Sequence, residues 1–224
     1  MKIEHRNYLL NYINDNCIFR LPPGVAIKGS KSNSWYSWQF YLRRAIFDPY
    51  CSHIISEWIY ENSDVTACQF AGMESAGPPL LSSLMSYSLL VKAQHIKGFA
   101  IRKERKKYGM LNWIEGFVDG TLPIILLDDI ANSKTTISRA SEICKNHGFE
   151  VSRAMTIVNK SNDSDAVDDI PVSSIFKISD FQLEWAEYYK NKPEPDHLEF
   201  VEKYKSILYL NLPNRGYVRA YEVC

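Results

Sequence analysis

Apolar positions along this chain recur with two periods, one helical and one extended, and their alternation predicts the architecture. Ile3, Tyr8, Leu9, Tyr12 and Ile13 stand at roughly helical spacing and predict a short packing helix. Residues 17–33 contain Pro22, Pro23, Gly24 and Gly29, which predicts an irregular or hairpin-like stretch. Residues 34–47 are dense in aromatics: Trp35, Tyr36, Trp38, Phe40, Tyr41 and Phe47. These either pack under a helical hood or, in part, line a base-binding pocket.

From residue 51 the rhythm becomes regular. Ile54, Ile55, Trp58 and Ile59 fall on one face of a helix expected over 51–62. A short apolar run at 65–70 leads to Gly72 and to Gly77-Pro78-Pro79. Leu80, Leu81, Leu84, Leu89 and Leu90 mark a second helix over 80–93. Strands are expected at 98–101, at 123–127, where the apolar run is continuous as in buried parallel sheets, and at 151–158. A helix over 136–147 stops at Gly148, the residue type preferred just past a helix end. Residues 160–169 read as a solvated loop. The alternation of strand and helix predicts an α/β fold with a mostly parallel central sheet flanked by helices. The tail from about 182 differs: Trp185, Tyr188 and Tyr189 precede Lys192-Pro193-Glu194-Pro195, then Phe200, Tyr204, Ile207 and Leu208 return to helical spacing. The expected organisation is one domain over 1–181, with hood elements in about the first 50 residues, and a C-terminal extension over 182–224.

Composition narrows the class. At 224 residues, with 46% hydrophobic and 13% aromatic content, the chain can bury a full core. Its 26 basic and 26 acidic residues cancel, so no global field draws it to nucleic acid or to a membrane surface. Cys17, Cys51, Cys68, Cys144 and Cys224 are odd in number and form no CxxC, which suggests neither a disulfide framework nor a zinc site. The charged N-terminus lacks the apolar centre of a signal peptide, and no apolar run approaches the roughly 20 residues that span a bilayer. A reducing cytoplasm is the expected compartment.

The chemistry concentrates at residues 124–136. An apolar strand ends in two consecutive carboxylates, Asp128 and Asp129, then a polar loop enters a helix. In open α/β sheets ligands sit at the carboxyl ends of strands, and helix-start N–H groups hold phosphate. Carboxylates just before such a loop suit ribose hydroxyls, or a Mg²⁺ shared by sugar and phosphate. A strand ending in a solvated acidic turn is the other reading.

This segment resembles the phosphoribosyl-pyrophosphate (PRPP) signature of type I phosphoribosyltransferases, and the order of the surrounding motifs resembles the orotate-specific members. Phe70-Ala-Gly-Met-Glu-Ser-Ala-Gly-Pro-Pro-Leu80 is similar to their pyrophosphate-side turn. Phe99-Ala-Ile-Arg-Lys-Glu-Arg-Lys-Lys-Tyr-Gly109 is similar to their mobile loop, and Glu115-Gly116 falls where they carry Glu-Gly. Residues 28–43 loosely resemble their hood segment. The likeness covers roughly residues 15–180.

The resemblance implies a PRPP-binding transferase acting on a nucleobase or nucleotide, with Mg²⁺ as cofactor and a homodimer as the assembly. Asp128 and Asp129 would hold the ribose, with any metal reached indirectly through PRPP-bound Mg²⁺. Asn132, Ser133, Lys134, Thr135 and Thr136 would cradle the 5′-phosphate. Arg102, Lys103 and Lys106 would cover the pyrophosphate, Lys106 as the catalytic cation, with Glu74, Ser75 and Gly77 completing that side. Lys28 and Lys160 are further substrate-binding candidates. Cations closing over the leaving pyrophosphate would stabilise its growing charge and exclude water.

Three segments depart from the family pattern. Lys134 replaces the phosphate-loop glycine, which permits close backbone approach and positive φ. Either its ammonium meets a phosphate directly, or the loop no longer accepts a 5′-phosphate in the usual way. Tyr108 stands where histidine is common, and Asn159-Lys160 stands for an Asp-Arg whose arginine grips the orotate carboxylate. Lysine lacks that bidentate fork, so the base is open. The competing reading is a catalytically divergent nucleotide- or PRPP-binding regulator, or a subunit of a larger assembly whose partner meets the C-terminal extension. Nucleic acid binding through the basic loop is disfavoured by zero net charge and the lack of an RNA-binding motif.

Overall fold

The computed structural model describes residues 1–20, 27–28, 35–104, 113–131, 135–160, 166–181, 183 and 188–189, with backbone alone at 20, 27–28, 35–36 and 188–189. In chain order the elements are α1 (Ile3–Asn16), β1 (Ile18–Arg20), β2 (Ile27–Lys28), β3 (Trp35–Tyr36), β4 (Trp38–Phe40), α2 (Arg43–Ile46), α3 (Pro49–Glu61), β5 (Gln69–Met73) and α4 (Gly77–Lys92). There follow β6 (Gly98–Ile101), β7 (Ile114–Gly116), β8 (Ile124–Ala131), α5 (Thr135–Asn146), β9 (Val151–Asn159), β10 (Ala166–Val167), β11 (Ile170–Lys177), a 3-10 turn (Ile178–Asp180) and β12 (Tyr188–Tyr189).

These elements form two compact units. The first joins Met1–Cys17 to Leu42–Gln182, and the second joins Ile18–Tyr41 to the segment from Leu183 onward. The second contains two small antiparallel sheets, β1 with β4 and a three-stranded set ordered β12-β3-β2. Within it Trp38 packs edge-on against Phe40, with ring centroids 5.5 Å apart, and Phe19 meets Tyr41.

The first unit holds a seven-stranded sheet ordered β10-β11-β9-β8-β5-β6-β7. Its five central strands run parallel, and β10 and β7 close the two edges in antiparallel fashion. On one face, Ala71, Met73, Phe99, Ile101, Ile124 and Leu126 bury against Ile137, Ala140, Ile143 and Cys144 of α5. α4 packs on β5, β6 and β8, with Leu80, Leu81 and Leu84 buried, and α3 then packs on α4. Local chemistry sets the helix ends. Asp48 caps α3 by accepting from the N–H groups of Tyr50 (3.1 Å) and Cys51 (2.9 Å), and Pro49 occupies the first turn. Past α5, Gly148 adopts φ +80°, a conformation that disfavours any residue with a Cβ.

The α/β class and mostly parallel sheet agree with the periodicity. The helices are found at 3–16, 49–61, 77–92 and 135–146, each within a few residues of expectation. One boundary changes the chemistry. The apolar run suggests a strand ending at Leu127, whereas β8 continues to Ala131 and carries Asp128 and Asp129 inside the ladder. Asp128 faces Thr156 of β9 across that ladder, and Ala131 faces Asn159. Neighbouring β9 holds the strand together beyond the point where hydrophobicity ends. The aromatic tail positions Phe200, Tyr204, Ile207 and Leu208 lie outside the described residues.

Candidate active site

The connections of the sheet diverge between β5 and β8. α4 carries the chain from β5 to β6 on one side, and α5 carries it from β8 to β9 on the other. Such a divergence leaves a crevice at the carboxyl ends of the strands, the usual ligand position in open α/β sheets. Four strands deliver candidate residues to this edge. Glu74 and Ser75 follow β5, Arg102 and Lys103 follow β6, the paired acids lie near the end of β8, and Lys160 follows β9.

The turn after β5 is built on backbone contact. A methyl group at Gly72 would collide with the Gly77 backbone. One at Gly77 would collide with Gly72 and come within 2.8 Å of the Leu127 carbonyl oxygen. Glycine is therefore required at both positions, and the turn is drawn against the strand that carries the acids. The Glu74–Ser75 peptide within it is cis.

Asp128 and Asp129 are coupled through the backbone: the Asp129 N–H donates to Asp128 Oδ1 at 2.9 Å. Burial pushes the Asp128 carboxyl well above the ordinary range, and the Asp129 charge beside it pushes the same way. Burial also raises Asp129, against the pull of the Asp128 hydrogen bond and of the Arg43 guanidinium. Arg43, from α2, also donates to the Ser75 hydroxyl. It thus links the β5 turn to the acid pair. Sequence reading missed this role, because nothing in the local pattern of Arg43-Arg44 shows which loop α2 will meet.

The basic side is already engaged with acids. Arg102 Nη1 donates to Glu115 Oε1 at 3.0 Å and stands 3.8 Å from Glu74 Oε1. The Lys103 N–H donates to Glu74 Oε2 at 3.2 Å. The Arg102 backbone N–H donates to the Trp113 carbonyl at 2.8 Å, so β7 steadies the start of the basic loop. Glu115, noted in the sequence only as part of a Glu-Gly pair, emerges as a direct partner of Arg102.

Lys160 follows β9, and its N–H donates to the Ala131 carbonyl at 2.8 Å, which ties it to the end of β8. Burial pulls its ammonium down to about 8. Thr135 and Thr136 open α5, the helix that follows the acid-bearing strand, and helix starts present N–H groups that can hold phosphate. Lys28 lies in β2 of the second unit. Lys106, Asn132, Ser133 and Lys134 lie outside the described residues, as does Tyr108.

Among the described residues no group of three or more His, Cys, Asp or Glu side chains is arranged to hold a metal ion. Two adjacent carboxylates fit Mg²⁺ in another way, because this ion commonly binds one or two carboxylates together with substrate phosphates and water. Asp128 and Asp129 are the residues that could meet it. No described helix is long and apolar enough to cross a membrane.

No protein-family model matches the chain. Among curated proteins it is similar to an orotate phosphoribosyltransferase of Aquifex aeolicus, 25% identical over 142 residues that cover 62% of this chain and 78% of the relative. Among solved structures it is similar to a phosphoribosyltransferase from Corynebacterium diphtheriae, with a TM-score of 0.64 at 19% identity, covering 80% of this chain and 98% of that one. It is also similar to Mycobacterium tuberculosis H37Rv orotate phosphoribosyltransferase in complex with PRPP, with a TM-score of 0.60 at 17% identity, covering 81% and 94%. The fold is that of the type I phosphoribosyltransferases, and the sequence is a divergent one that resembles their orotate-specific members.

Proposed function

We propose that the protein binds PRPP with Mg²⁺ and transfers ribose 5-phosphate between it and a nucleobase, in the synthetic or the nucleotide-cleaving direction. One observation carries the reading. The paired acids of β8, the start of α5, the glycine-built turn after β5, and Arg102 and Lys103 after β6 all stand toward the carboxyl ends of the parallel strands. A relative of the same fold was crystallised with PRPP, which supports the ligand class.

Asp128 and Asp129 accept the ribose 2- and 3-hydroxyls, and Thr135 and Thr136, with residues 132–134, receive the 5′-phosphate. Ser75 through Gly77, Arg102, Lys103 and Lys106 face the pyrophosphate. A ring nitrogen of the base bonds to the ribose C1 as the C1–oxygen bond to pyrophosphate breaks, and the electron pair leaves with the pyrophosphate. The loop cations stabilise that charge. Bound Mg²⁺ would supply further neutralisation of the phosphate oxygens. Lys160, at the end of β9, faces the base. Its single ammonium serves an acceptor on the base without selecting a carboxylate as an arginine fork would. The assembly is expected to be a homodimer, with the C-terminal segment available to a protein partner.

Lys134 motivates a second reading, a PRPP- or nucleotide-binding regulator that performs no transfer. Calorimetric titration with PRPP, with and without Mg²⁺, tests the ligand, and pyrophosphate release with a panel of bases tests the chemistry. Mg²⁺-dependent binding with release supports transfer, and binding without release supports the regulator. No binding at near-millimolar PRPP removes transfer and any PRPP-binding role, and leaves nucleotides and protein partners to be tested.

A further inference from the structure

The residues proposed to grip pyrophosphate already have partners within the protein. Glu74 belongs to the turn that should receive an anion, yet it brings an anion of its own. Its backbone is fixed to the end of β6, with its N–H donating to the Ile101 carbonyl at 2.9 Å. From there its carboxylate reaches the next two residues. One oxygen accepts the Lys103 N–H at 3.2 Å, and the other stands 3.8 Å from Arg102 Nη1. A main-chain N–H beside a guanidinium is also what a phosphoryl oxygen would use. The Arg102 Nε is buried and has no acceptor among the described residues, so the guanidinium retains donor capacity that these carboxylates do not meet.

Resting on the transferase reading above, we infer that the Glu74 carboxylate occupies the pyrophosphate seat as an internal competitor, and that PRPP binds only by displacing it. Glu74 is therefore a specificity determinant rather than a ligand. It opposes weakly charged or singly phosphorylated entrants at this seat, and it yields to a Mg²⁺-complexed pyrophosphate group that offers more oxygens to the same donors. The exchange is feasible because the Glu74 and Arg102 side chains keep 38% and 30% of their surface exposed. Half-exposed pairs of this kind are weak enough to be broken by a ligand.

The test compares wild type with Glu74→Gln, which keeps the shape and removes the charge. Binding of inorganic pyrophosphate, PRPP and ribose 5-phosphate is measured by calorimetry in Mg²⁺. The expected result is about fivefold tighter binding of pyrophosphate and PRPP to the variant, equal to roughly 1 kcal/mol, with ribose 5-phosphate unchanged. Glu115→Gln, which frees only one side of Arg102, is expected to give a smaller gain of the same sign. Unchanged or weaker pyrophosphate binding in Glu74→Gln, with PRPP still bound by wild type, overturns the inference and leaves the transferase reading intact. Weaker binding would place Glu74 among the ligands instead. If neither protein binds PRPP or pyrophosphate, the transferase reading falls and takes this inference with it.

Discussion

The two acidic pairs at the edge of the sheet are opposites. Glu74 and Glu115 are half-exposed and already face Arg102 and the Lys103 N–H, so both have donors at hand and water beside them. Asp128 and Asp129 stand inside a strand and are joined by a hydrogen bond, and the Arg43 guanidinium acts on Asp129. The first pair holds an anion site shut with its own carboxylates. The second keeps carboxylates in a poor solvent, which costs stability and favours any ligand that brings hydroxyl donors or a cation. One crevice thus combines a side whose acids meet donors and water with a buried, under-neutralised one.

Removing the under-neutralised side should have the largest effect. The double variant Asp128→Asn/Asp129→Asn is expected to lose Mg²⁺-dependent PRPP binding by about a hundredfold or more, since two charge-assisted hydrogen bonds go at once. Calorimetry reads the loss directly. Retention of binding within a few fold would mean the acids are structural.

Next is the turn that separates the two sides. Gly77→Ala forces backbone atoms apart at Gly72 and Leu127, and a loss of about 2–4 kcal/mol in unfolding free energy is expected. Urea titration checks it, and a change below roughly 0.5 kcal/mol would contradict the backbone crossing.

A smaller effect of opposite sign is expected from Asp128→Asn alone. The folded carboxyl titrates above its unfolded value, so its contribution to stability is full below the unfolded pKa and is lost as pH rises through the folded one. At neutral pH the variant should melt about 2–4 °C higher than wild type, for roughly 1 kcal/mol. The advantage should vanish near pH 3–4. A variant that melts lower at pH 7 would refute the uncompensated burial. The same logic makes Mg²⁺–PRPP binding release protons and tighten as pH rises, which titration in buffers of different ionisation enthalpy would reveal.

Lys160 should give the mildest signal. Burial lowers its ammonium to about 8, so folding releases a proton between that value and the unfolded one near 10.4. Its charge weighs on stability fully below about pH 8, and the penalty fades as pH rises. Lys160→Met should therefore be slightly more stable than wild type at pH 7, with no difference near pH 11. If it faces the base, the variant should change the KM for the base more than that for PRPP.

Much of this could be read from the residues, for identifiable reasons. α3 and α4 announce themselves through apolar spacing, while Pro49 and Gly77-Pro78-Pro79 start them two to three residues earlier than that spacing shows. The motif order gave the candidates on β5, β6, β8 and β9 because each lies in a short continuous segment. β11 escaped notice, since Pro171 and the Ser173-Ser174 pair break the apolar alternation of an otherwise strand-like run. Its parallel pairing with β9 makes it a strand despite them. The extension of β8 through its acids was hidden for the same reason, because cross-strand pairing overrides local polarity. Arg43 and the Glu74–Arg102–Glu115 set depend on contacts between distant segments. No window of sequence contains them.

The three-stranded sheet of the second unit has a consequence for the order of synthesis. β3, at residues 35–36, is flanked by β2 and by β12, whose Tyr188 and Tyr189 pair with Tyr36 and Trp35. A ribosome adding roughly 5–20 residues per second reaches that partner about 8–30 seconds after β3 is made. During this interval one edge of β3 has no strand beside it, and the nascent chain must keep that edge from other chains. The three-stranded sheet therefore closes only once Tyr188 and Tyr189 have been made, about 150 residues after β3.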